Sequence, residues 1–164
     1  MNGDFLDYDV AEKKIKEIIS KGKPYDVLQS VVDFLYEHFD KYSWVGIYIV
    51  KRDNLILDPW RGEQATEHTK IPIGQGICGS AARSGKTEIV ADVSKDKRYL
   101  ACFVSTKSEI VVPIKKEGIV IGELDIDSDI ANAFDNKDDI FLGKIADKLS
   151  DFIEWSSTTS PKKD

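Results

Sequence analysis

The chain has 164 residues, 41% hydrophobic and 32% charged, a balance that excludes both a disordered chain and a membrane-embedded one. Lys plus Arg number 23 against 29 Asp plus Glu, a net charge of −6, so neither nucleic acid nor an anionic membrane is an expected partner. One domain is expected over residues 1–155, with 1–22 as an N-terminal helical extension and 156–164 as a polar tail. The N-terminus carries acids and no apolar h-region, which reads as no signal peptide and a cytoplasmic setting.

Residues 8–20 predict a first helix with Val10, Ile15, Ile18 and Ile19 as a partial apolar stripe and Gly22 as its stop. Pro24 predicts the start of a second helix, whose face is Leu28, Val31, Val32, Leu35 and Phe39. Residues 44–50 are almost continuously apolar and read as a buried central strand. A turn at Arg52-Asp53-Asn54 leads into strands at 55–60 and 69–73. Gly74-Gln75-Gly76 breaks the chain before a short helix at 77–84 and a brief strand at 88–90. A polar loop over 92–105 contains Cys102, and strands at 109–115 and 119–127 join around Gly118. Asp135 caps a final helix carrying Phe141, Ile145, Leu149 and Phe152 on one face. Hairpin links dominate, so the fold class is α+β: a central antiparallel β-sheet with N- and C-terminal helices packed on it.

Gly74-Gln75-Gly76-Ile77-Cys78-Gly79 matches the glycine string of dinucleotide-binding folds, but no βαβ unit surrounds it. It reads as a tight turn entering a closely packed helix. Cys78 falls near the N-terminus of that helix, where the dipole favours a thiolate. Cys102 follows Lys95, Lys97 and Arg98, which favour a thiolate there too. Cap and loop positions favour redox chemistry over the alternative that both cysteines are packed as small hydrophobes.

Asp125 and Asp127 alternate on a strand and so share a face, about 7 Å apart, with Ile121 beside them. Glu109 joins them if the turn has three residues, Lys116-Glu117-Gly118, which pairs it with Asp125. A two-residue turn sends it to the other face. The three-residue register is favoured, and a bulge at Pro113 would alter it. Asp125-x-Asp127-x-Asp129 opens like a calcium loop, but Ile130 and Asn136 stand where Gly and Glu are required. His38, His68 and the cysteines lack any zinc spacing, so no metal and no cofactor are expected. A cluster of carboxylates without metal attracts a ligand ammonium group. Trp44, Tyr48 and Trp60 are the aromatic candidates, and Gly46 between the first two leaves room for a close approach.

These segments resemble the free methionine-R-sulfoxide reductases, a family of GAF-domain enzymes. The resemblance lies in Ser43-Trp44-Val45-Gly46-Ile47-Tyr48, Leu55-Ile56-Leu57-Asp58-Pro59-Trp60-Arg61-Gly62 and Gly74-Gln75-Gly76-Ile77-Cys78-Gly79-Ser80-Ala81-Ala82. It continues in Ala101-Cys102, in Ser108-Glu109-Ile110-Val111-Val112-Pro113 and in Gly122-Glu123-Leu124-Asp125-Ile126-Asp127-Ser128, covering about residues 24–149. It implies reduction of free methionine-(R)-sulfoxide, with Cys102 attacking the sulfoxide sulfur and Cys78 as the resolving thiol. Glu109, Asp125 and Asp127 match the acids that hold the substrate's ammonium group and sulfoxide oxygen, and Trp44 and Tyr48 match aromatics beside its methyl end. A thioredoxin-like reductant and a homodimer are also expected. The chain departs from the pattern at His68, where many relatives have a third cysteine, and at Tyr99 and Phe103, where many have His and Asp. The alternative from another class is a GAF ligand-binding or thiol redox sensor module without turnover.

Overall fold

The computed structural model describes residues 6–101 and 103–154; Cys102 and the predicted polar tail lie outside them. Helix α1 (Tyr8–Lys21) is capped by the Asp7 side chain and buries Ala11 and Ile15. Gly22 ends it as predicted, but with extended backbone (φ −73°) rather than a left-handed cap. A Cβ there would lie 2.7 Å from the Ile18 carbonyl oxygen and 3.0 Å from Val27, so close approach is what requires glycine. Helix α2 (Val27–His38) begins at Val27 and not at Pro24, because the Asp26 N–H turns back onto the Lys23 carbonyl at 2.9 Å.

Six strands follow: β1 (Trp44–Lys51), β2 (Asn54–Gly62), β3 (Lys70–Pro72), β4 (Glu88–Val90), β5 (Ser108–Lys116) and β6 (Ile119–Ser128). They form one antiparallel sheet in the order β3-β2-β1-β6-β5-β4. Helix α3 (Gly76–Ser84) lies between β3 and β4, and α4 (Asn136–Leu149) follows the sheet. Asp135 caps α4 in a full capping box with Asp138. The buried Asp138 carboxylate also accepts from Tyr8 Oη at 2.8 Å, Tyr42 Oη at 3.0 Å and Lys41 Nζ at 2.8 Å, tying α1, α4 and the entry to β1 together.

Alternation along the strands divides the apolar residues between two cores. Val45, Ile47, Ile49, Leu124 and Ile126 face α1, α2 and α4, while Trp44, Tyr48, Val50 and Val111 face α3. The β5–β6 turn has two residues, Glu117 (φ 52°) and Gly118 (φ 79°), the paired left-handed conformation of tight hairpins, and not the predicted three. A bulge between Ile114 and Lys115 then shifts the register, so Glu109 pairs with Asp127 and not with Asp125. The shift restores Glu109 to the acidic face by a route the turn alone does not reveal. It also moves Ile121 to the opposite core, away from the acids it was expected to accompany.

Gly46 provides close approach as predicted, and the group that approaches is Trp44's own indole. A Cβ on Gly46 would lie 2.3 Å from it, and one on Gly62 likewise 2.3 Å. The ring thus lies in a trough between two glycines. Gly46→Ala is expected to overpack this trough and cost about 1–3 kcal/mol in denaturant unfolding. Gly143→Ala, where an added Cβ meets nothing within 4 Å in α4, should be neutral or stabilising.

Candidate active site

The first half of the site is the end of β6. Glu123, Asp125 and Asp127 alternate onto the α3 side of the sheet, opposite Tyr48, Gly46 and Trp44 of β1. On the other flank Glu109 of β5 pairs with Asp127. All four carboxyls are buried. Glu123 was missed as a site residue although its parity with Asp125 and Asp127 places it on their face.

The second half is α3. The GxGxxG string acts as a tight turn: Gly74 and Gly76 have φ of 96° and 67°, and Gly79 packs so closely that a Cβ would sit 2.7 Å from the Pro72 carbonyl oxygen. This packing presses Cys78 onto the carboxylates, with its Sγ 3.8 Å from Glu109 Oε1. Cys78 is therefore buried with the core and not exposed at a cap, contrary to the sequence reading. Its thiol is pushed well above the usual range, first by burial and then by Asp125, Glu123, Glu109 and Asp127. The helix dipole that predicted a thiolate is outweighed, since desolvation and like charge both oppose ionisation.

The same forces act on the acids. Burial raises Glu123, Asp125 and Asp127 above the ordinary carboxyl range, and the Asp125 charge adds to the rise at Glu123 and Asp127. Both Glu123 carboxyl oxygens, Asp125 Oδ1, Asp127 Oδ1 and Trp44 Nε1 have no hydrogen-bond partner among the described residues. For a carboxyl whose folded pKa is raised, the stabilising contribution is full below its unfolded value and is lost as pH rises through the folded value. Glu123→Gln, which cannot ionise, should therefore flatten the fall in Tm that the wild type shows as pH rises above the unfolded carboxyl value.

Two cavities border the cluster. The inner one, about 20 Å³, is lined by Tyr48, Ile71, Ile77, Cys78, Tyr99, Leu100, Glu109 and Asp125. The outer cleft, about 420 Å³, is bounded by Trp44, Phe103, Thr106 and Asp127 among others. Trp60 lines neither; it stacks behind Trp44 at 6.3 Å between ring centroids. Phe103 packs on Trp44 at 6.1 Å. Tyr48 Oη donates to the His68 carbonyl oxygen at 2.7 Å, and His68 Nε2 lies 3.2 Å from the Ala101 carbonyl oxygen. The predicted nucleophile, Cys102, lies outside the described residues.

A curled antiparallel sheet with helices α1, α2 and α4 on one face and α3 over the acidic cluster on the other defines a GAF domain, and residues 24–151 match that family's model. The free methionine-R-sulfoxide reductase of Escherichia coli is 33% identical over 129 residues, 79% of this chain and 75% of that one. The structure of the Neisseria meningitidis free methionine-R-sulfoxide reductase in complex with its substrate superposes with a TM-score of 0.83 at 35% identity, covering 88% of this chain and 87% of that one. The reduced form of fRMsr from Staphylococcus aureus gives a TM-score of 0.83 at 35% identity, covering 92% and 97%. The chain belongs to the free methionine-R-sulfoxide reductase family, and is an enzyme of that type. No helix among the described residues is long and apolar enough to cross a membrane.

Proposed function

We propose that the protein reduces free methionine-(R)-sulfoxide to methionine, with Cys102 as nucleophile and Cys78 as resolving thiol. The observation that supports this best is the convergence of Cys78, Glu109, Asp125 and Asp127 on one buried face beside Trp44 and Tyr48. The Cys102 thiolate attacks the sulfoxide sulfur while a carboxyl of the cluster gives its proton to the departing oxygen. Oxygen transfers to the Cys102 sulfur as a sulfenic acid and methionine leaves. The Cys78 thiol then displaces that oxygen as water, forming a Cys78–Cys102 disulfide, and a thioredoxin-like dithiol restores both thiols.

Two carboxyls divide the remaining work. Of Asp125 and Asp127, which share one strand face and are both raised by burial, one retains a proton for the oxygen while the other's charge faces the ammonium group. The inner cavity has room for about one water, so the amino acid enters by displacing Tyr99 and Leu100. The protein acts in the cytoplasm as a homodimer and as a single GAF-like unit over residues 1–155.

A carboxylate cluster that recognises a free ammonium group makes the enzyme blind to blocked amines. N-acetylmethionine-(R)-sulfoxide and a peptide-bound sulfoxide should react at least ~100-fold more slowly than the free amino acid, since the buried acid loses its partner. Equal rates on the free and acetylated compounds would contradict the assignment of the acids.

A further inference from the structure

We propose that the Cys78–Glu109–Asp125 cluster is also a site for a divalent cation of the zinc class, an inhibitory occupant rather than a cofactor. The three residues come from α3, β5 and β6, which is why no ligand spacing is visible along the chain. One ligand atom of each lies within 4.8 Å of the others, and Cys78 Sγ is 3.8 Å from Glu109 Oε1. Tetrahedral zinc with ordinary Zn–S and Zn–O bonds sets neighbouring S and O about 3.6 Å apart, so the Cys78–Glu109 separation already fits closely.

Two further observations point to an occupant. Asp125 Oδ1 is buried with no hydrogen-bond partner among the described residues, so an acceptor stands unused in the cluster. The cavity of about 20 Å³ is lined by all three ligand residues and suits a single ion better than an organic molecule. One sulfur and two carboxylate oxygens exclude the hard cations, since magnesium and calcium take six or more oxygens. Three protein ligands leave the fourth tetrahedral position open. Glu123, buried on the same face, has both carboxyl oxygens without a hydrogen-bond partner among the described residues, so further oxygen donors border the site.

Inhibition follows only if the reductase reading holds, because the ion would take the carboxylates assigned to the substrate's ammonium group. Binding does not depend on that reading, and the test reads binding. The reduced full-length protein, kept in a phosphine reductant that does not chelate the metal, is titrated with Co²⁺ and then with Zn²⁺. The expected result is a near-ultraviolet thiolate-to-cobalt charge-transfer band that Zn²⁺ abolishes, with a Tm rise of at least ~5 °C at one hundred times Kd. Cys102→Ser should keep the band and Cys78→Ser should lose it. Asp125→Asn, which keeps the side chain's shape and the thiol, should weaken Co²⁺ binding at least ~10-fold. No charge-transfer band in the wild type overturns the proposal. So does a band that survives in Cys78→Ser and disappears in Cys102→Ser, or one with unchanged affinity in Asp125→Asn.

Discussion

Cys102→Ser is expected to abolish reduction of methionine-(R)-sulfoxide, including the first turnover, by a factor of at least ~10³. The helix dipole favours a Cys78 thiolate, and the surroundings of Cys78 in the structure oppose one. Cys78 is buried beneath α3 among four carboxyls, and both burial and their charge push its pKa up. A thiol held protonated near neutrality is a poor first nucleophile but can wait to resolve a sulfenic acid. Cys78→Ser should therefore leave one methionine released per protein molecule and lose recycling by thioredoxin, while a small thiol still rescues turnover. Rapid-quench measurement of methionine formed in the first turnover separates the two variants. Full single-turnover activity in Cys102→Ser, with none in Cys78→Ser, would exchange the two roles.

Asp127→Asn should lower kcat by about 10²–10⁴, the usual contribution of a positioned proton donor. Asp127 is buried, pairs with Glu109 across the β5–β6 ladder, and leaves Oδ1 without a partner among the described residues. Its pKa is raised by burial first and by Asp125 second, so the proton is retained into a range where an ordinary aspartate has lost it. Activity that needs this proton is present below the raised pKa and declines as pH rises through it. The amide keeps the shape and donates a hydrogen bond but has no proton to transfer. Its pH–kcat profile should accordingly lose the alkaline limb while the fold stays intact by circular dichroism. An unchanged limb would assign that limb to another group.

Much of this architecture is legible in the chain because periodicity reports burial directly. The continuous apolar run of β1 is a fully buried central strand, and 88–90 is the strand the sequence indicates. The acidic face is legible for the same reason, as Asp125 and Asp127 must share it wherever β6 pairs. Register is not, because it depends on a bulge between Ile114 and Lys115: Pro113 and Gly122 beside it mark where a bulge can form, but not that one does. The Glu117-Gly118 turn is shorter than expected, yet the bulge adds the residue that returns Glu109 to the acidic side. Cys78 was misread because a cap position tells where a residue lies along a helix, not what packs over it. Its burial is decided by β5 and β6, some thirty or more residues distant in the chain. Gly46 was read correctly as a point of close approach, but the approaching group is the indole two residues away in the same strand.

The assay that bears most directly on the proposed activity uses free methionine sulfoxide that is racemic at sulfur, incubated with the purified protein and dithiothreitol. Both epimers and methionine are followed by chromatography. The expected result is complete loss of the R epimer with an equal yield of methionine, and an S epimer that stays untouched when the reaction stops at half consumption. No methionine formed, or both epimers consumed at similar rates, would contradict the assignment.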